Sequence, residues 1–358
     1  MLKVIAMAGL VTALLSASVS VVRKPVPAAL SWPAYFGNRV FVPADNPTTE
    51  EGVQLGRMLF YEKALSVNDK MSCATCHQQA KAFTDGKTFS AGADGTLQPR
   101  NTMALVNLLW VRHLFWDGRA AGLEEQAVTP LTAPHEMGQS LESAAAKLRQ
   151  RKQYPALFRR AFGNDSITGD RIVKALAQFE RTLISANSRY DQYLQGKYQP
   201  TVSELKGISL FYTNPDPSRD IRGASCGHCH GGPKTYSDLF HNNGLDVVPT
   251  DKGRQNITGQ TYDNGRFRVA TLRNIALTAP YMHDGRFKTL EEVIDHYSEH
   301  IAQSETLSPF LQRSSNIPTG TSLQLSAQEK KDLLAFLHML TDSSFITNPR
   351  FSNPFPGN

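Results

Sequence analysis

Apolar residues recur at helical spacing in several separate stretches of the chain, and no strand-like alternation of comparable strength appears. Val53, Leu55, Met58, Leu59 and Phe60 give one apolar face to a helix over residues 49–61. Ile172, Leu176, Phe179 and Leu183 do the same over 170–186, and further helices are predicted at 101–112, 122–128 and 140–152. Thr289 and Glu292 form a capping box that starts another helix. On it Leu290, Val293, Ile294, Tyr297 and Ile301 share the apolar face, so Tyr297 points inward, while His296 and His300 lie beside the outward face with Glu292 and Glu299. Gly86, Gly92 and Gly95 punctuate a loop; Pro25, Pro27, Pro33 and Pro43 mark residues 21–44 as an extended lead-in, and Pro200 marks a linker over 198–202. The expected class is mainly α.

The pattern runs twice. Leu55-Gly-Arg-Met-Leu-Phe-Tyr61 is echoed by Gly207-Ile-Ser-Leu-Phe-Tyr212. Trp116-Asp-Gly-Arg119 with Leu123-Glu-Glu-Gln126 matches His283-Asp-Gly-Arg286 with Leu290-Glu-Glu-Val293, and the same register pairs Asn107 with Asn274. Register held over tens of residues implies two homologous domains, here 45–200 and 201–358, the second ending in a tail. The halves differ where Trp116 faces His283, Phe115 faces Met282, Gln126 faces Val293 and Pro130 faces Tyr297.

Each half carries one C-x-x-C-H motif, Cys73–His77 and Cys226–His230. In that pattern the two cysteines form thioethers with haem vinyl groups and the histidine supplies the proximal nitrogen to iron. Together the motifs consume all four cysteines. A zinc site or a pair of redox dithiols would leave His77 and His230 unexplained, and zinc pairs lie closer in sequence. The reading is two covalently attached c-type haems in two cytochrome c-like domains.

A chain of 358 residues with 41% hydrophobic and 20% charged residues has the balance of a soluble globular protein. Its net charge of +6 is scattered rather than striped, which argues against nucleic acid as a partner. Lys3, the apolar run Val4–Leu15 and the small residues Ser16, Ala17, Ser18 and Ser20 have the order of a cleavable signal peptide over residues 1–20. That run is shorter than the roughly 20 residues a spanning helix needs, and no later segment qualifies, so the mature chain is expected to be periplasmic without a membrane span.

A haem that activates peroxide needs one open face with polar groups that move a proton. Between His77 and Arg112 there is no histidine, and Met103 is the only methionine. Gln126 and Glu136 are candidate polar groups for that face, although periodicity alone favours an exposed helix residue and a surface carboxylate. For the second haem the candidate distal ligands are Tyr297, Met282, His283, His296 and His300.

These residues resemble one family, the bacterial di-haem cytochrome c peroxidases and the related MauG-type enzymes. The resemblance covers nearly all of the chain after residue 20. It rests on both C-x-x-C-H motifs, Phe115-Trp-Asp-Gly-Arg119, Glu124-Glu-Gln126, His135-Glu-Met137 and Leu272-Arg-Asn-Ile-Ala-Leu-Thr-Ala-Pro280. It implies that His77 carries the peroxidatic haem and His230 the electron-transferring haem. It further implies Trp116 as an electron relay, Gln126 and Glu136 as catalytic groups of the peroxide pocket, and a calcium ion held by Asn101, Thr278 and Pro280, the last two through main-chain carbonyls. A homodimer is common in the family. Two departures stand out. The loop from Phe89 to Gly95 lacks the histidine with which many family peroxidases block the first haem. Tyr297 stands where those peroxidases have methionine and MauG-type enzymes have tyrosine, and it is the expected distal ligand of the second haem. The expected activity is reduction of hydrogen peroxide to water with electrons from a small redox protein such as cytochrome c. A MauG-type oxidase acting on a partner protein and a non-catalytic di-haem electron carrier are the competing readings.

Overall fold

The computed structural model describes residues 24–312 and 314–355; the expected signal segment lies outside the described residues. The first half contains α1 (Glu50–Tyr61), α2 (Cys73–Cys76), α3 (Leu123–Thr132), α4 (Leu141–Arg149), α5 (Tyr154–Phe162), α6 (Gly169–Glu180) and α7 (Arg189–Leu194). The second contains α8 (Val202–Tyr212), α9 (Gln255–Thr258), α10 (Leu290–Glu299), α11 (Pro309–Gln312), α12 (Ala327–Met339) and α13 (Ser343–Thr347). Among the described residues the only sheet is a pair of two-residue strands, Phe240–His241 antiparallel to Phe267–Arg268. The chain is mainly helical, and no described helix is long and apolar enough to cross a membrane.

The two halves share a backbone plan. Thr49 caps α1 by accepting the Gly52 amide, and Thr201 with Glu204 closes a capping box on α8. Gly56 of α1 lies against the carbonyl of Ala175 in α6, and Gly207 of α8 against that of Asp332 in α12. A methyl group at either glycine would sit 1.9–2.0 Å from that oxygen, so each helix pair crosses at a distance only glycine permits. Asn107 and Asn274 both adopt left-handed backbone (φ +57° and +63°) and each opens a single 3-10 turn. Phe115 and Met282 repeat the conformation at φ +67° and +73°. Their tight turns are closed by the bridges Leu114–Ala120 and Tyr281–Phe287.

Several helices differ from the sequence expectation. Residues 101–112 form no helix beyond the 3-10 turn Leu108–Trp110. Asn107 instead clamps the segment at Ser185, its Nδ2 donating to the Ser185 carbonyl at 3.1 Å and its Oδ1 accepting the Ser185 amide at 2.9 Å. The helix expected to reach residue 186 stops at Glu180, because the Leu183 carbonyl is taken by the Asn107 amide. Helix α3 runs on to Thr132, and α5 has no counterpart among the predicted elements.

One core gathers α1, α3, α4, α5 and α6 around Leu55, Phe60, Leu176 and Phe179, and a second gathers α8, α10 and α12 around Phe211, Ile294, Leu333 and Phe336. Each core borrows from the other half. Phe345 and Phe351 of the tail pack on Phe83 in the first, and Tyr190 of α7 packs on Phe336 in the second. The lead-in segment stacks Trp32 and Phe36 edge-on against Trp110. Lys234 of the second half donates to the Phe36 carbonyl. Beneath it Arg273 and Asp191 form a fully buried ion pair, whose remaining groups are satisfied by Ser188 and by the Pro233 carbonyl.

Candidate functional site

The first motif occupies α2, a single turn started by Ser72, whose amide donates to Thr75 Oγ1 at 3.0 Å. His77 follows, and its Nδ1 lies 2.8 Å from the Phe83 carbonyl. Ala82 and Phe83 reach that position through two successive left-handed residues, held by the aromatic packing of Phe83 on Phe60 and Phe345. His230 repeats the arrangement, with Nδ1 3.1 Å from the Ala270 carbonyl. A ring nitrogen fixed on a main-chain oxygen leaves Nε2 free for a metal, the usual outer support of a ligating imidazole. Burial lowers the basicity of both rings, His230 to about 4, which favours the neutral form that can ligate a metal. None of the four cysteines is in a disulfide. These features suit the attachment of haem at both motifs.

A cavity of about 950 Å³ opens beside the first motif, at the upper end of the range for cofactor sites. Its wall brings together Cys73, Cys76, His77, Trp116, Gln126 and Glu136, which the sequence places as much as 63 positions apart. Gln126 comes from the second turn of α3. Glu136 sits on the turn after α3, where its carbonyl accepts the Ala93 amide. Gly92 passes so close that a methyl group there would overlap the His135 carbonyl. Burial raises the Glu136 carboxyl above the usual range, and the Arg119 guanidinium pulls it back. His77 is the only histidine on this wall. Met103 stands on the His77 side, and Arg268 donates to its sulfur at 3.6 Å. At the mouth Arg100 bridges two segments, reaching Asp251 through Nε (2.7 Å) and Nη2 (2.9 Å) and Asp117 through Nη1.

Trp116 donates its ring N–H to the Asn101 carbonyl at 2.8 Å and also lines a small cavity of about 80 Å³ between the halves. Asn101, Thr278 and Pro280 line that same cavity. The Asn101 amide nitrogen is taken by the Lys87 and Thr88 carbonyls, which leaves its Oδ1 for a cation. Among the described residues no cluster of three or more His, Cys, Asp or Glu side chains is arranged for a metal. An ion here would therefore rely on amide and carbonyl oxygens, a donor set that suits calcium.

The surroundings of the second motif are different, with Tyr297 close to Cys226 and Cys229. Asn243, which the sequence did not single out, lies with Nδ2 3.2 Å from the Tyr297 hydroxyl and 3.3 Å from the Met282 sulfur. Two of the five candidate distal ligands thus meet at one side chain. His283 instead stacks on Phe267 at 3.8 Å, and His300 is exposed. His296 corrects the sequence expectation: it is only 4% exposed rather than outward, because the Asn243–Gly244 segment crosses that face of α10 and the Asn243 carbonyl lies 3.0 Å from its Nε2. Burial pushes the Tyr297 phenol up, against the opposing pull of Asn243.

Glu180, Arg119 and Arg268 also line the first cavity and were not anticipated. Glu180 did leave a trace: the repeat Phe179-x-x-x-Leu183 and Phe336-x-x-x-Leu340 sets it opposite Leu337.

The family described as di-haem cytochrome c peroxidase matches residues 50–199. The methylamine utilization protein MauG of Methylophilus methylotrophus is 36% identical over 299 residues, covering 83% of this chain and 84% of that protein. Cytochrome c551 peroxidase of Nitrosomonas europaea is 36% identical over 259 residues, covering 71% and 75%. A solved MauG-like protein associated with microbial copper homeostasis superposes with a TM-score of 0.82 at 40% identity, over 91% of this chain and 99% of that one. The diheme peroxidase BthA of Burkholderia thailandensis shares the fold at 22% identity, with a TM-score of 0.72 over 93% and 96%.

Proposed function

Because the chain belongs to the di-haem cytochrome c peroxidase family, which takes in the MauG proteins, we propose that it reduces hydrogen peroxide to water in the periplasm, with electrons from a small redox protein such as cytochrome c. Membership implies two c-type haems, and we assign them to Cys73, Cys76 and His77 and to Cys226, Cys229 and His230. The observation that carries the reading is the convergence of Gln126 and Glu136 on the wall that holds the first motif. When bound there, the haem supplies an iron that takes up peroxide and exchanges electrons. Glu136 accepts the proton of the inner peroxide oxygen and returns it to the outer oxygen, which leaves as water. The Gln126 amide donates to that outer oxygen and holds it within reach. Arg119 opposes the rise that burial imposes on the Glu136 carboxyl, which favours its proton-accepting form. Trp116, on the walls of both cavities, is the residue we assign to electron relay between the halves. Asn101, Thr278 and Pro280 would hold a calcium ion that fixes its indole.

The second reading, a MauG-type oxidase acting on a partner protein, is favoured by Tyr297 beside Asn243 and by the similarity to MauG. Mixing holoprotein with peroxide and reduced cytochrome c separates the two. Rapid steady-state oxidation of the cytochrome is expected. A peroxide-induced spectral change without cytochrome turnover would transfer the assignment to the oxidase.

A further inference from the structure

Helices α6 and α12 hold equivalent places: the contacts of Gly56 with Ala175 and of Gly207 with Asp332 fix one register, and the carbonyls of Leu183 and Leu340 accept the amides of Asn107 and Asn274 in that same register. Phe179 thereby pairs with Phe336, and Glu180 with Leu337. Leu337 is an ordinary member of the second core. Glu180 is just 6% exposed, lies on the wall of the His77 cavity, and has an Oε2 buried without a hydrogen-bond partner. A leucine would serve the packing without that cost.

The charged or titratable groups that face Glu180 are Glu124 of α3, Arg181 beside it and the Cys73 sulfur of α2. Arg181 does not neutralise it, because that guanidinium pairs with Glu124 and donates to the Asn46 carbonyl at 3.1 Å. Burial first, and the Glu124 carboxylate second, push the Glu180 carboxyl up to about 8, with Arg181 opposing. The acid therefore changes charge at an accessible pH while touching the cofactor cavity.

Reducing peroxide to two waters consumes two electrons and two protons. Glu136 only moves the peroxide's own proton between its oxygens, so the balancing protons enter the pocket elsewhere. We propose that Glu180 is the proton-exchanging residue of the first haem pocket: its carboxylate binds one solvent proton as that haem gains one electron from the donor protein, and releases it as the electron leaves. This rests on the placement of a haem at Cys73, Cys76 and His77. Glu124, partly open to solvent beside it, is the entry point.

The test is a potentiometric titration of each haem in holoprotein from about pH 6 to about pH 9, each followed by its own spectrum. In the wild type the potential of the first haem should fall as pH rises through about 8, because a carboxylate favours oxidised iron. Glu180→Gln and Glu180→Leu, the latter copying the second half, should remove that slope and hold the potential at its low-pH value. The second haem should be unaffected, and the carboxylic C=O band in the redox-difference infrared spectrum should vanish in both variants. An attached first haem that keeps its pH slope in both variants overturns the role of Glu180 alone. A chain whose mass shows no haem at Cys73 and Cys76 overturns it together with the reading beneath it.

Discussion

Around His77 the first half sets Gln126, Glu136 and Glu180 on the wall of an open cavity; around His230 the second half sets Val293 and Leu337 at two of the equivalent positions and gathers Tyr297 and Met282 on Asn243. Key backbone features recur in both. Both have the glycine-mediated helix crossing, the left-handed asparagine and the tight turn after it. On the proposed reading, a handful of side chains sets the two motifs apart. Polar groups line the cavity beside the first, and a buried phenol and thioether meet near the second.

The largest effect should come from the polar side of that contrast. Glu136→Gln is expected to lower peroxide turnover by about 10²–10⁴-fold, the usual worth of a positioned acid–base group, with both haems still attached. Steady-state oxidation of reduced cytochrome c measures it, and wild-type turnover in this variant would dissolve the distinction between the pockets. In stability the asymmetry runs the other way. Arg273, buried against Asp191, stands where the first half has the apolar Val106, so Arg273→Met should cost about 3–5 kcal/mol by stranding the carboxylate. Denaturant unfolding of the holoprotein checks this, and the double variant with Asp191→Leu should recover most of the loss.

At the second pocket the contrast sharpens to one atom. Tyr297→Phe should change the visible spectrum of the second haem and leave the first unaltered. An unchanged spectrum, with Met282→Leu changing it instead, would reassign the ligand to the thioether. The oxidised wild-type protein should also show a high-spin signal from the first haem by electron paramagnetic resonance, because no second histidine shares its cavity wall. A purely low-spin spectrum would remove the open site.

A further effect is the pH dependence of folding. Glu180 titrates at its ordinary 4.5 when unfolded and about 8 when folded, so the folded chain holds an extra proton between those values. Its contribution is complete below about pH 4.5 and is lost as pH rises through about 8. Comparing denaturant midpoints at the two ends of that window should show a decline in the wild type that Glu180→Gln flattens.

Much of the site was legible because its chemistry is written locally. C-x-x-C-H sets the attachment pattern within five residues, and the capping box of α10 lies within four. The repeat could be read because equivalent turns demand equivalent residues: Asn107 and Asn274 both take the left-handed conformation, and Gly118 and Gly285 both sit at positive φ. What failed was read from periodicity alone. The apolar run at 101–112 looked helical, yet it is an irregular segment with one 3-10 turn, pinned where Asn107 exchanges hydrogen bonds with a residue about 80 positions away.

By itself the sequence determined the mainly helical class and marked two related halves with a C-x-x-C-H motif in each; the family resemblance set Gln126 and Glu136 beside the first. Only the tertiary structure decided that His296 is covered, that Asn243 joins Tyr297 to Met282, that the tail completes the first core and that Glu180 lies unpartnered on a cofactor wall. The reason is physical. Covalent attachment and helix capping act between neighbours along the chain, whereas burial and the choice of hydrogen-bond partner depend on segments that folding brings from far away.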